Sequence, residues 1–206
     1  MKSPISTYVT FDLETTGLDA AKTAVIEIAC CAFNHDLNDV KDFESGIMQV
    51  YDNRDITEGA LKANGITREQ IANGVDPREA IEKLCQYFKH LKVGNSKPVL
   101  CGHNIDKFDI PFLDNMFTFF KKDLSDYVNT DFTIDTMWWA RCKRAEQVNF
   151  KLGTCCEIEC IELTDAHRAM TDTRANAALV KTYLRSLKSE GSSVNEEVKY
   201  RASFQF

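Results

Sequence analysis

The 206-residue chain has no apolar run of the length a membrane span needs. Its first twenty residues, MKSPISTYVTFDLETTGLDA, hold one early lysine and no signal-peptide core, so the expectation is a cytoplasmic protein without membrane contact. The chain also lacks a positive surplus. Its 25 Lys and Arg stand against 31 Asp and Glu, a net charge of -6, which argues against binding nucleic acid through a broad basic face. An enzyme is not excluded, because acidic residues that hold divalent cations reverse the local charge where a scissile phosphate would sit. Paired C-x-x-C spacing is missing as well. The eight cysteines, at 30, 31, 85, 101, 142, 155, 156 and 160, fall as two adjacent pairs plus singles in apolar segments. That pattern suits reduced, mostly buried thiols better than a disulfide framework or a structural zinc site. There is no internal repeat and no low-complexity block.

What is present is the balance of a soluble globular domain, 44% hydrophobic and 27% charged, at a length that supports one core. Residues 7 to 12 (TYVTFD) and 24 to 33 (AVIEIACCAF) predict strands, and 43 to 51 (FESGIMQVY) a weaker third, an antiparallel opening to a sheet. From Thr57 the pattern turns helical through TEGALKANG, TREQIANG and DPREAIEKLCQYFKHL, the last starting at Asp76 and Pro77 with apolar positions 81, 84, 85, 88 and 91. A strand at 98 to 102 (PVLCG), a helix over about 109 to 121, a strand at 132 to 136 (FTIDT) and a helix through MWWARCKR follow. The last helix begins near Ala169, with Thr173, Ala177, Val180, Leu184 and Leu187 on one stripe. Strands first and alternating elements afterwards imply an α/β domain, a mixed sheet covered by helices. The domain is drawn at 1–188, with SEGSSVNEE and YRASFQF in 189–206 as linker and tail. Such a tail is either a peptide for a polymerase or repair-complex partner, a plug on its own domain, or disordered.

Three segments carry candidate chemistry. In FDLETTG, Asp12 and Glu14 lie two apart at a strand end and point to one side, a costly pair without a cation. A solvated strand end is the bland alternative, and for an isolated D-x-E it would be preferred. GHNIDKFDIPFL brings Asp109 to a helix start, where simple capping explains it when taken alone; His103 and Asn104 there read equally as turn residues. HRAMTD sets His167 five residues before Asp172, ~140° apart on one helix, so both face one site only if His167 lies on the preceding loop. Together, carboxylates delivered at strand ends and helix starts favour one site. Oxygen ligands select Mg²⁺ or Mn²⁺, and several carboxylates suit two ions about 3.5 to 4 Å apart in an in-line phosphoryl displacement. His167 then suits the general base.

These segments resemble, in order, the motifs of the DEDDh exonucleases: DLETTGL at 12 to 18, HNIDKFD at 103 to 109 and HRAMTD at 167 to 172, with NGIT at 64 to 67 and DTMWWAR at 135 to 141 between them. The resemblance, running from about Thr7 to Leu187, implies a ribonuclease-H-like mixed five-stranded sheet flanked by helices. It implies a 3′→5′ exonuclease releasing nucleoside 5′-monophosphates, with Asp12, Glu14 and Asp172 on metal, Asp109 completing the site partly through water, and His167 as base. Thr15, Thr16, Gly17, Leu18 and Asn104 are implied to meet the terminal nucleotide, Leu18 as a wedge unless it folds back on the core. Ile105 and Thr173 stand where the family often has alanine, and are read as narrowing the groove. Phe117, Phe120, Trp138 and Trp139 are read as core rather than as a stacking platform. Arg141, Lys143 and Arg144, with Lys107 and Arg168, are either phosphate contacts or, for the first three, a solvated helix face. The partner is a nucleic-acid 3′ end, single-stranded DNA favoured with RNA open, and a homodimer is allowed. The alternative is a catalytically silent binding module on a replication or repair complex, disfavoured because all four carboxylates and the histidine are kept.

Overall fold

Alternate side chains of TYVTFDLET divide between two environments, as successive strand residues must. In the computed structural model, residues 7–163 and 168–202 are described, with the backbone alone for 190–202. Strand β1 (Thr7–Thr15) sends Val9, Phe11 and Leu13 into one core and Tyr8 into another. Strand β2 (Val25–Asn34) pairs antiparallel with it, and β3 (Asp39–Glu44) pairs antiparallel with β2. On the other side β4 (Val99–Gly102) and β5 (Asn129–Asp135) run parallel to β1, giving the order β3-β2-β1-β4-β5. The result is the mixed five-stranded, ribonuclease-H-like sheet implied by the motifs.

Helices cover both faces. After the short α1 (Glu58–Asn64) and α2 (Arg68–Ala72), α3 (Pro77–His90) starts where Asp76 accepts from the Arg78 N–H and Pro77 presets the first turn. Its stripe of Ile81, Leu84, Cys85 and Phe88, with Leu91 just beyond, is buried with Phe112, Met116 and Phe117 of α4 (Asp109–Phe119) in the core that holds Phe11. Each such side chain contributes about 1.5–3 kcal/mol by leaving water. The opposite face takes α7 (Ala169–Ala202), whose Ala177, Val180 and Leu184 pack with Tyr8, Phe33, Val99 and Cys101. Helices α5 (Thr136–Lys143) and α6 (Leu152–Ile158) lie beside α7 through Trp139, Ala140, Cys155 and Tyr183. Among the described residues no helix is long and apolar enough to cross a membrane.

Several expectations are corrected. The third strand occupies 39–44 rather than 43–51, because Gly46 turns the chain at φ 71°, after which Met48 keeps one hydrogen bond to the Ile26 carbonyl of β2 at 2.7 Å and bridges to Val75 instead of extending the β2–β3 ladder. Helix α6 was not expected from the sequence, being short, carrying the weak helix former Gly153 and lacking a side-chain N-cap. The backbone of 189–202 continues α7 instead of forming a linker, since extending an existing helix adds one hydrogen bond per residue without a new nucleus. Residues 203–206 of the tail lie outside the described residues. Trp138 is 58% exposed, not core, and Leu187 at the end of its stripe is exposed too. Six of the eight cysteines are buried, and Cys142 and Cys160 are exposed.

Candidate active site

Because β1, β4 and β5 are parallel, their C-terminal ends meet at one edge of the sheet, which is where α/β folds place their sites. The loop after β4 returns sharply as Asn104 adopts φ 65°, a left-handed conformation that asparagine tolerates. Asp135, at the end of β5, fixes that turn by accepting the Asn104 N–H at 2.9 Å. His103 is pinned between the Thr136 hydroxyl at 2.9 Å and the Phe150 carbonyl at 2.7 Å, so it serves the loop and not the site. The turn delivers Asp109, buried, into the first turn of α4, one residue past the N-cap position, which Phe108 fills without a side-chain cap hydrogen bond.

Asp12 and Glu14 project from the α7 side of β1, and Asp172 comes down from the first turn of α7. One carboxylate oxygen from each of the three lies within 4.8 Å of the others. Solvent reaches Asp12 and Glu14 on one edge, while protein encloses the rest. Burial first, then Asp109, Glu14, Asp172 and Glu27, raises the Asp12 pKa well above the carboxylate range. Glu14 is pushed up to about 8 by burial and then by Glu27, Asp172 and Asp109, with Arg168 opposing. Asp109 is pushed up to about 7 by burial, against hydrogen bonds from its own N–H and that of Leu13. The physical content is one of charge. Gathered carboxylates without a counter-ion take up protons, and an all-oxygen set of this kind can hold a hard divalent cation. The donor chemistry therefore fits the metal implied by the sequence. His167 lies outside the described residues.

The loop after β1 is clasped by the segment that follows β3. Thr16 is fully buried, its hydroxyl donating to the Asp55 carbonyl at 2.6 Å and accepting the Ala24 N–H at 2.8 Å. Its carbonyl accepts from the Thr57 hydroxyl at 2.9 Å. All of its groups are engaged in hydrogen bonds within the protein, so Thr16 shapes the loop. Thr15 donates to the Gly17 carbonyl at 2.7 Å, and the buried Asn64 donates to the Thr15 carbonyl at 3.2 Å. Gly17 is required by close approach, since a Cβ there would lie 2.5 Å from Thr23 Cγ2. Leu18 does not fold back on the core; it stands 87% exposed on the rim.

Ile105 and Thr173 are both fully buried, Ile105 in the core of α4 and Thr173 donating to the Ala29 carbonyl at 3.4 Å, so neither narrows a groove. Lys143 and Arg144 bind Glu159, and the Arg141 guanidinium lies over the Phe150 ring, 5.3 Å from its centroid. That leaves Lys107, exposed, and Arg168, which pairs with Glu27. Glu27 itself is the residue the sequence reading missed. Its signal was present: it is the one charged residue within the otherwise apolar VIEIACCAF.

Known proteins agree with this architecture. A family model described as Exonuclease, RNase T, matches residues 9–180. PolC-type DNA polymerase III of Bacillus subtilis strain 168 is 30% identical over 197 residues, covering 93% of this chain and 12% of its own length. The corresponding protein of Lacticaseibacillus paracasei is 31% identical over 173 residues, 84% of this chain and 11% of its own. The chain thus spans only 11–12% of these curated relatives. Among solved structures, E. coli exonuclease I in complex with a dT13 oligonucleotide superposes with a TM-score of 0.73 at 23% identity, over 90% of this chain and 43% of its own. At that identity the likeness is one of fold. The match across both outer motifs, together with the carboxylates gathered at the strand ends, means that the chain belongs to the RNase T exonuclease family of DEDD-type 3′→5′ exonucleases.

Proposed function

We propose that this chain hydrolyses single-stranded DNA from the 3′ end, releasing nucleoside 5′-monophosphates with the help of two divalent cations, Mg²⁺ or Mn²⁺. The observation that carries the proposal is the approach of Asp12, Glu14 and Asp172 to within 4.8 Å, with Asp109 close enough to raise the Asp12 pKa. These carboxylates would hold the cations, Asp109 partly through water. When bound, the cations supply Lewis-acid stabilisation to the attacking and leaving oxygens of an in-line displacement.

The chain's own groups divide the remaining work. His167 accepts a proton from the attacking water on an imidazole nitrogen. The water oxygen bonds to phosphorus, the bond from phosphorus to the 3′ oxygen of the preceding nucleotide breaks, and that oxygen takes up a proton. Leu18, exposed at the rim, packs against the terminal base, while Thr15, Gly17 and Asn104 line the approach of the last nucleotide. Thr16 holds this loop from beneath. Exonuclease I bound to an oligonucleotide supports single-stranded DNA as the substrate class. The PolC-type relatives, which are DNA polymerases, support a polymerase context for the chain.

The test is digestion of a 5′-labelled single strand with Mg²⁺, beside RNA and duplex DNA. A ladder shortened from the 3′ end and abolished by EDTA is expected; intact single-stranded DNA under Mg²⁺ and Mn²⁺ would overturn the proposal.

A further inference from the structure

Glu27 interrupts β2 between the fully buried Ile26 and Ile28, and it stands directly across the ladder from Glu14. Like charges directly opposite on one sheet face are destabilising. Enclosure adds to the cost, since the Glu27 side chain is 3% exposed and its Oε2 has no hydrogen-bond partner among the described residues. An apolar residue would suit this strand position better. A group that breaks the local packing rule in this way is expected where it serves function.

What faces Glu27 accounts for it. Arg168 Nη2 lies 3.7 Å from its Oε1, and the Ala169 backbone N–H also points at the carboxylate. The Arg168 carbonyl accepts the Asp172 N–H at 3.1 Å, so Arg168 closes the first turn of α7 and Ala169 opens it. A helix start carries unpaired N–H groups and the positive end of the dipole, so a buried carboxylate there is both partner and counter-charge. Asp172 sits in the turn thus anchored, and His167 immediately precedes Arg168 in the chain.

We propose that Glu27 is a positioning residue that pins the entry of α7 from β2, setting the placement of Asp172 and of the backbone next to His167. This rests on the exonuclease reading above. Glu27 acts through α7 and not on the substrate.

The test compares the full chain with Glu27→Gln, Glu27→Ala and Glu27→Asp. Glutamine keeps the length and an acceptor oxygen for the Ala169 N–H, whereas aspartate keeps the charge but withdraws it by one methylene. The alanine and aspartate variants should lower kcat on an oligo-dT strand by about 10- to 100-fold, the scale of a ~1 Å misplacement. KM should stay within about 3-fold of the parent, Mn²⁺ affinity should weaken alongside kcat as far as Asp172 is displaced, and glutamine should restore both to within about 5-fold. Amide hydrogen exchange at Ala169–Asp172 should quicken in the alanine and aspartate variants and not in β3. Parental kcat in both variants, a loss confined to Mn²⁺ affinity, or glutamine as poor as alanine would overturn the proposal. If the alanine variant does not fold, the aspartate and glutamine pair decides. A parent chain that leaves oligo-dT intact would sink the exonuclease reading instead, and hydrogen exchange would still decide whether Glu27 anchors α7.

Discussion

Glu159 and Glu14 are both carboxylates at the ends of regular elements, yet their neighbours differ in sign. The Glu159 side chain, 9% exposed after α6, meets Lys143 Nζ at 3.1 Å and Arg144 Nε at 3.4 Å. Glu14 at the end of β1 faces Glu27, Asp172 and Asp109, with Arg168 opposing. The first arrangement joins α5 to α6 and stabilises the chain as it stands. The second stabilises nothing until protons or a cation supply the missing charge. A joint and a site are therefore told apart by whether the protein completes its own electrostatics.

The strongest way to break this comparison is Asp12→Asn. Losing one ligand at the centre of the cluster should remove several kcal/mol of transition-state stabilisation, an activity loss of at least about 10³-fold. The same change removes one of the mutually repelling charges, so the melting temperature of the metal-free chain should rise, by about 2–4 °C for each kcal/mol relieved. A fall in metal-free melting temperature, measured by calorimetry in EDTA, would mean that the cluster is compensated from within.

A second effect follows from protons. Glu14 and Asp109 are pushed up to about 8 and about 7 from ordinary values of 4.5 and 3.8, so the metal-free fold holds protons that the unfolded chain releases. The stability they contribute is fully present below about pH 4 and lost as pH rises through about 7 to 8. A cation replaces those protons, and its stabilisation grows with its affinity for the folded state. Mn²⁺ should therefore raise the melting temperature more at pH 8.5 than at pH 5.5, read as paired scans with and without EDTA. An equal shift at both pH values would show that metal does not bind at these carboxylates.

Much of the site was legible because its parts are local. The i, i+2 spacing of Asp12 and Glu14 fixes their common side once β1 is a strand, and the stripe of α7 sets Asp172 toward β1 once its partners are buried. What was hidden depends on contacts across the fold. Thr16 looks like a ligand residue in DLETTGL, and only the return of Asp55 and Thr57 commits its groups to the loop. Ile105 and Thr173 were read as groove residues because they stand where the resembled family often has alanine; packing across the fold buries both. Glu27 was read as one residue of a strand, because its meaning lies in α7 more than 140 residues later.

The paired region offers the converse test. Glu159→Ala leaves Lys143 and Arg144 without their shared partner, and both cations are about a third or more exposed, so solvent screens much of the loss. The expected cost is about 1–2 kcal/mol, or roughly 2–8 °C in melting temperature, with activity per folded molecule unchanged. Stability unaffected by the substitution would remove the contrast with Glu14.

The smallest effect concerns Leu18. A leucine that is 87% exposed contributes little to folding, so Leu18→Ala should leave the melting temperature within experimental error. Its use, if it packs on the terminal base, appears only with substrate: losing part of that apolar contact is worth about 1 kcal/mol, roughly a 5-fold rise in KM on short oligo-dT with kcat nearly kept. Binding measured with Ca²⁺ in place of Mn²⁺ should weaken by the same factor. Unchanged KM would make Leu18 a bystander on the rim, and the charge contrast between Glu14 and Glu159 would then stand without an apolar contribution to substrate placement.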